Sequence, residues 1–227
     1  MMNAAAGIFL AARRKPKLPY DAEVDYLGST GTQYINTGVL PANNMSFDSA
    51  MMFTELTFSD HGVIGSRSSN ARLQIAQVYG RKWTVGIGGT YDGNGSEVST
   101  NTFYQLHGEV SNGKTVTLSA NGSQCSTLTT TGGMPTIPLG ILARNRGTYA
   151  DAYSKARIYS MKIYVSSVLV RDYIPVRFTN EQGVSEGAMY DRANPTVGMN
   201  PDGSPRTDGL YRNRGTGAFT IGVDKTA

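Results

Sequence analysis

Phe103 to Leu128 reads FYQLHGEVSNGKTVTLSANGSQCSTL, and its two Asn-Gly pairs decide the fold class. Asn112-Gly113 and Asn121-Gly122 each interrupt runs of alternating character: Tyr104, Leu106 and Val110 before the first, then Val116, Leu118 and Ala120. Period two is the spacing of side chains on one face of a strand. Asn-Gly takes positive φ at both corners of a two-residue hairpin turn at little cost. Two such turns in succession predict a three-stranded antiparallel meander.

The same pattern extends outward in both directions. NMSFDSAMMFTEL (Asn44 to Leu56) puts Phe47, Met51 and Phe53 on one parity with Ser49 among them. ARLQIAQVY repeats the idea with Leu73 and Ile75, and KWTVGIG follows as its neighbour. IPLGIL, KARIYSMKIYV and VLVRDYIPV are rich in Ile, Val and Tyr, as strands are. Beyond the first residues no dozen-residue stretch has strong helical periodicity. Many short strands with regular turns predict an all-β, two-sheet antiparallel sandwich. At 227 residues with 39% hydrophobic side chains, the chain can bury a core without staples. Its single cysteine, Cys125, rules out an intrachain disulfide. Cys125 follows a turn with no neighbouring His or acid and reads as an inert thiol.

Charge divides the chain. Arg13, Arg14, Lys15 and Lys17 give residues 1–18 a charge of +4 with no acid, which is the whole net charge of the protein. A neutral body of this kind is not built to grip nucleic acid, and no specific nucleic-acid partner is expected. The apolar run Ala4 to Ala12 precedes the charges, the reverse of a secretory signal, and is too short to cross a bilayer. Apolar residues without a core of their own order on something else. Ile8, Phe9, Leu10, Arg13, Arg14, Lys15 and Lys17 are therefore expected to dock on a partner, with Pro16 and Pro19 punctuating a linker.

Several blocks resemble a known family. YLGSTGTQYINTGV (Tyr26 to Val39), ILARN (Ile141 to Asn145), KARIYSMKIY (Lys155 to Tyr164), LVRDYIPV (Leu169 to Val176), MYDRAN (Met189 to Asn194) and LYRNRGTGAFTIG (Leu210 to Gly222) occur in order. Together they resemble a concanavalin A-like, laminin G-type β-sandwich (jelly-roll) module of gut bacteria and their phages, covering about residues 24 to 224. The resemblance implies a docking arm and linker at 1–23 and a sandwich at 24–227, with STGTQYINTG as its first, edge strand. GMNPDGSPRTDG (Gly198 to Gly209) reads as an inserted loop.

This fold hosts lectins, glycosidases and structural domains, so function rests on sites. Glycoside hydrolysis needs two acids held close across the sugar. Glu23 and Asp25 are spaced by two but fall in the linker, and Glu109 has no acid at i±2. No catalytic residues are assigned. His61 and His107 lack ligand-like companions, so no metal site is assigned either. Sugar contact is better served by Tyr91, Asp92 and Asn94 in one Gly-rich loop, and by Asn145, Tyr149 and Asp151 in another, on what would be one rim. Ordinary hydrophilic turns are the competing reading of both loops. No cofactor is called for; calcium alone would suit such oxygens. Trp83 reads as core or sheet surface rather than as a sugar platform.

The expectation is a non-enzymatic phage virion component: a head fibre, auxiliary capsid or tail-associated protein. It would be held by its arm to capsid, portal or tail proteins. A homo-oligomer is expected because multivalency multiplies a weak grip. Host-surface glycans are candidate partners, and a membrane is not. A bacterial cell-surface carbohydrate-binding adhesin is the alternative, and a glycoside hydrolase of the same fold comes third.

Overall fold

The computed structural model describes residues 17–69 and 71–225. Ile8, Phe9, Leu10, Arg13, Arg14 and Lys15 of the expected docking arm lie outside the described residues; Lys17 is exposed. The strands are, in chain order, β1 (Ala22–Glu23), β2 (Leu27–Thr30), β3 (Ile35–Asn36), β4 (Met45–Glu55), β5 (His61–Arg67), β6 (Arg72–Tyr79) and β7 (Lys82–Ile87). There follow β8 (Thr90–Asp92), β9 (Phe103–Ser111), β10 (Thr115–Ala120), β11 (Ser123–Thr129), β12 (Gly140–Ile141), β13 (Arg144–Asn145) and β14 (Ala150–Asp151). The last are β15 (Lys155–Val165), β16 (Val168–Thr179), β17 (Ser185–Asp191), β18 (Gly198–Met199), β19 (Pro205–Arg206), β20 (Leu210–Arg212) and β21 (Thr220–Ile221).

Two sheets result. The larger runs β11-β10-β9-β4-β15-β16-β17-β20-β18-β19, with β1, β2 and β21 alongside β16 and β15. The smaller runs β14-β13-β5-β6-β7-β8, with β12 and β3 joined to β5. Their inner faces meet in one hydrophobic core, where Phe53 lies 5.9 Å from Trp83 and Trp83 lies 5.3 Å from Tyr104 between ring centroids. Trp83 is a core residue; of core and sheet surface, the two places its sequence context allowed, the structure gives the first.

The meander forms as predicted. Asn112, Gly113, Asn121 and Gly122 have φ of 54°, 62°, 51° and 80°, the left-handed pair that a tight hairpin requires. β9 and β10 pair antiparallel in continuous register, and β10 and β11 pair antiparallel with one shift between Leu118 and Ser119. β4 alternates strictly, burying Met45, Phe47, Ser49, Met51 and Phe53.

Three expectations change. The block STGTQYINTG is not one edge strand: β2 lies in the larger sheet and β3 in the smaller, so this segment crosses between layers. The sandwich also begins before residue 24. β1 pairs with β16, and the Tyr20 ring packs against Tyr190, which takes residues 20–23 out of the linker. Finally, Gly198 to Gly209 is not a free loop. It folds into the β18–β19 hairpin, which extends the sheet beyond β20.

The blocks that carry the family resemblance fasten the layers together. Asn213 accepts from the Tyr34 backbone N–H, and Gln33 donates through Nε2 to the Thr216 carbonyl. Arg171 and Tyr173 of the LVRDYIPV block both donate to the Thr37 carbonyl. Asp191 of MYDRAN, fully buried, accepts from the backbone N–H groups of Asp172 and Ala193 and from the Asn194 amide. Buried polar groups of this kind must be paired, and these residues pair one another across long sequence separations.

Candidate functional site

Outward-pointing residues of the larger sheet form transverse rows, because residues in register on neighbouring strands share a face. One row is Lys162–Asp48–His107–Ser119, from β15, β4, β9 and β10. The next is Ser160–Ala50–Gln105, and the one after it Arg157–Met52–Phe103. The middle row is short-chained at two of its three positions, while both flanking rows are long. A trough-like hollow is therefore expected over the middle row, with the two flanking rows about 13 Å apart at roughly 3.3 Å per residue.

A depression of about 420 Å³ lies over the middle row, lined by Asp48, Ala50, Gln105, His107, Ser160 and Lys162; Arg157, Met52 and Phe103 of the far row are not part of its lining. Gly122, at the tip of the second hairpin, and Ser119 close its far end without filling it. His107 separates it from a second hollow of about 240 Å³ beside Ser46 and Glu109. A bulge in β15 between Ile158 and Ser160 turns both Tyr159 and Ser160 outward. Tyr159 thus lies on the same sheet face as the far row, 5.2 Å from Phe103 and 5.7 Å from Tyr26 between centroids. The Arg157 guanidinium lies 4.5 Å from the Tyr26 centroid, and Phe103 is 48% exposed.

In the first row His107 Nδ1 lies 2.8 Å from Asp48 Oδ1. Both side chains are about half exposed, so the pair contributes at most about 1 kcal/mol to stability. Its effect is to hold an imidazole and a carboxylate in fixed positions on the trough wall. Lys162 is in register with Asp48 on one side and Asp172 on the other. Planar polar groups around a shallow hollow, with the Phe103 and Tyr159 rings on the same sheet face, can hold a ring with hydroxyls on its edge and C–H groups on its faces. Among the described residues, no group of three or more His, Cys, Asp or Glu comes together to hold a metal ion.

The residues singled out in the two loops lie on the other sheet. Tyr91 and Asp151 are the ends of one outer row, Asp151–Arg144–Gly65–Gln74–Gly86–Tyr91, which crosses six strands. At about 4.8 Å per strand they are roughly 24 Å apart, so the loops do not form one rim. Asp92 accepts from Ser126 Oγ and from the Asn94 backbone N–H. Asn145 is fully buried, donating to the Pro138 carbonyl and accepting from the Gly147 N–H, and cannot touch a ligand. Asp151 accepts from Arg144 at 2.5 Å. Tyr149 is exposed, with the Arg146 guanidinium 5.6 Å from its ring, and Asn94 is exposed.

Sequence reasoning missed the residues in and beside the trough, Asp48, Gln105, His107, Tyr159 and Lys162. Their signal was present as the outward parity of β4, β9 and β15. Which outward residues share a row depends on strand order and register, and β4 pairs with β15 across more than a hundred residues.

No family model and no curated protein matches the chain. Among solved structures it is similar to the galectin LEC-6 of Caenorhabditis elegans, at 15% identity and a TM-score of 0.36, over 62% of this chain and 94% of that one. It is also similar to the binding domain of Paraclostridial Mosquitocidal Protein 1, at 10% identity and a TM-score of 0.41, over 74% of this chain and 64% of that one. These figures assign no ligand, and the two-sheet architecture stands on the strand pairings given above.

Proposed function

We propose that the chain is a non-enzymatic, glycan-binding β-sandwich displayed on a phage virion and held there by its basic N-terminal segment. The observation that carries the glycan reading is the hollow across β15, β4 and β9, lined by Lys162, Asp48, His107 and Gln105, with Met52 and Phe103 two residues beyond Ala50 and Gln105 on the same strand faces. Sugars bind such surfaces through hydroxyl hydrogen bonds to planar groups and C–H contact with rings. The virion reading draws on the +4 charge confined to residues 1–18 and on the family resemblance of the blocks.

A glycosidase reading has one observation in its favour. Asp48 and Glu109 stand on paired strands in adjacent rows, since Asp48 faces His107 and Ser46 faces Glu109. Such an enzyme needs one carboxyl kept protonated, by burial or by a second carboxylate. Asp48 is instead half exposed and bonded to His107, which favours binding over turnover.

A glycan array probed with the whole chain tests the proposal. A bound neutral glycan should lose at least tenfold in affinity with Phe103→Ala and with Gln105→Ala, and no bound glycan should be cleaved on prolonged incubation. An array without hits, or binding indifferent to both substitutions, refutes the trough as a sugar site. Particles assembled with residues 1–18 deleted should lack the protein; normal incorporation refutes the anchoring role.

A further inference from the structure

The outer face of the smaller sheet carries a second surface, distinct from the trough. Its central row contains two residues without side chains, Gly65 on β5 and Gly86 on β7, on either side of Gln74. The space they leave is taken by neighbours lying flat. A Cβ on Gly86 would stand 2.9 Å from Arg72 Cδ, and one on Gly65 would stand 3.1 Å from Gln74 Cγ. Arg72 therefore reaches over β7 toward Tyr91, whose centroid is 5.4 Å from its guanidinium carbon, while Gln74 leans toward β5.

Cations gather here and are unequally matched. Arg144 is satisfied twice, by Asp151 at 2.5 Å and by Asp60 at 3.1 Å. Asp60 also accepts from Gln77 Nε2 at 2.6 Å. Arg72 stands in register with Arg67 and, among the described residues, forms no ion pair. Its Nε is buried without a hydrogen-bond partner, and so is Nε2 of Gln74, a side chain only 2% exposed. Burial and the nearby charges of Arg67 and Arg144 lower the pKa of Arg72, and Asp60 and Tyr91 oppose that shift without reversing it. Two unpartnered N–H donors on one glycine-floored face are costly unless something accepts from them.

We infer that Arg72, lying over Gly86 next to the buried Gln74 and beside the Tyr91 ring, forms a binding subsite for the carboxylate of an acidic sugar. A guanidinium fork matches a planar carboxylate with two parallel hydrogen bonds. Tyr91 offers ring contact to the sugar carrying the anion. Arg72 stands beside a ring and, among the described residues, forms no ion pair, which suits a charged residue within a glycan.

Titration of the whole chain with oligogalacturonate, followed by backbone amide NMR, reads the site directly. The amides of Gly65, Gln74 and Gly86 should shift on binding. Arg72→Gln should weaken binding at least tenfold, and Arg72→Lys, which keeps the charge without the fork, should fall between. The dispersed spectrum of each variant checks its fold. Four results each overturn the inference. These are no binding at millimolar oligogalacturonate, equal binding by wild type and Arg72→Gln, shifts confined to Ala50 and Gly122 in the trough, and tighter binding of a sulfated oligosaccharide or a single-stranded oligonucleotide than of the uronate. Neutral-glycan binding at the trough is read separately by the Phe103 and Gln105 variants, so either proposal can fail alone.

Discussion

Replacing Asp191 by alanine should be among the most destabilising single changes in the sandwich. Asp191 is fully buried. Its Oδ1 accepts from the Asp172 N–H at 2.9 Å and the Ala193 N–H at 3.0 Å, and its Oδ2 accepts from Asn194 Nδ2 at 3.1 Å. Arg171 Nε stands 3.6 Å away, and Arg171 is itself largely buried while donating to the Thr37 and Val170 carbonyls. Alanine removes the acceptor and leaves donors and a guanidinium charge without it. Breaking a buried ion pair from one side costs about 3–5 kcal/mol. For a sandwich of this size, each kcal/mol lowers Tm by about 2–4 °C, so the melting point should fall by roughly 6–20 °C. Asp191→Asn keeps Oδ1 and the two backbone bonds but loses the charge, and should cost about 1–2 kcal/mol. Guanidinium titration gives the free energies directly, and an unchanged slope would assign the change to stability rather than to a different unfolded state. A loss below about 1 kcal/mol for Asp191→Ala would refute the claim that this buried carboxylate braces β16 against β17 and holds Arg171, which reaches the Thr37 carbonyl.

Two further predictions follow from buried titratable groups. The His61 Nε2 accepts from the Thr57 backbone N–H at 3.0 Å, which requires an unprotonated nitrogen, and burial lowers the His61 pKa below 6.5. The unfolded chain then binds the proton first, so stability is full above about pH 6.5 and falls as pH drops below it. Denaturation midpoints at pH 7.5 and 5.5 should differ more for the native chain than for His61→Gln; equal differences would remove His61 as a cause. Burial pushes the Cys125 thiol up to about 11, and its Sγ donates to the Leu118 carbonyl. A thiol reagent at pH 8 should label it at least tenfold more slowly in the folded chain than in denaturant, and equal rates would contradict that environment.

The local pattern alone specified most of the fold. Alternation in β4 and β9–β11 and two Asn-Gly turns are short-range facts: a strand's faces and a hairpin's φ angles are set by a few adjacent residues. The same holds for the absence of a disulfide and for the charge concentrated at residues 1–18. Long-range pairing decided the rest. Nothing near Tyr26 to Gly38 says that β2 and β3 lie in different layers, because that depends on β15 and β12, more than a hundred residues away. Nor does sequence spacing reveal that the blocks bearing the family resemblance spend their polar groups on each other. Both candidate surfaces are rows across strands: Lys162–Asp48–His107 on one sheet and Arg144–Gly65–Gln74–Gly86 on the other. A row is defined by register between strands, and register is chosen when hydrophobic faces from distant segments close on a shared core.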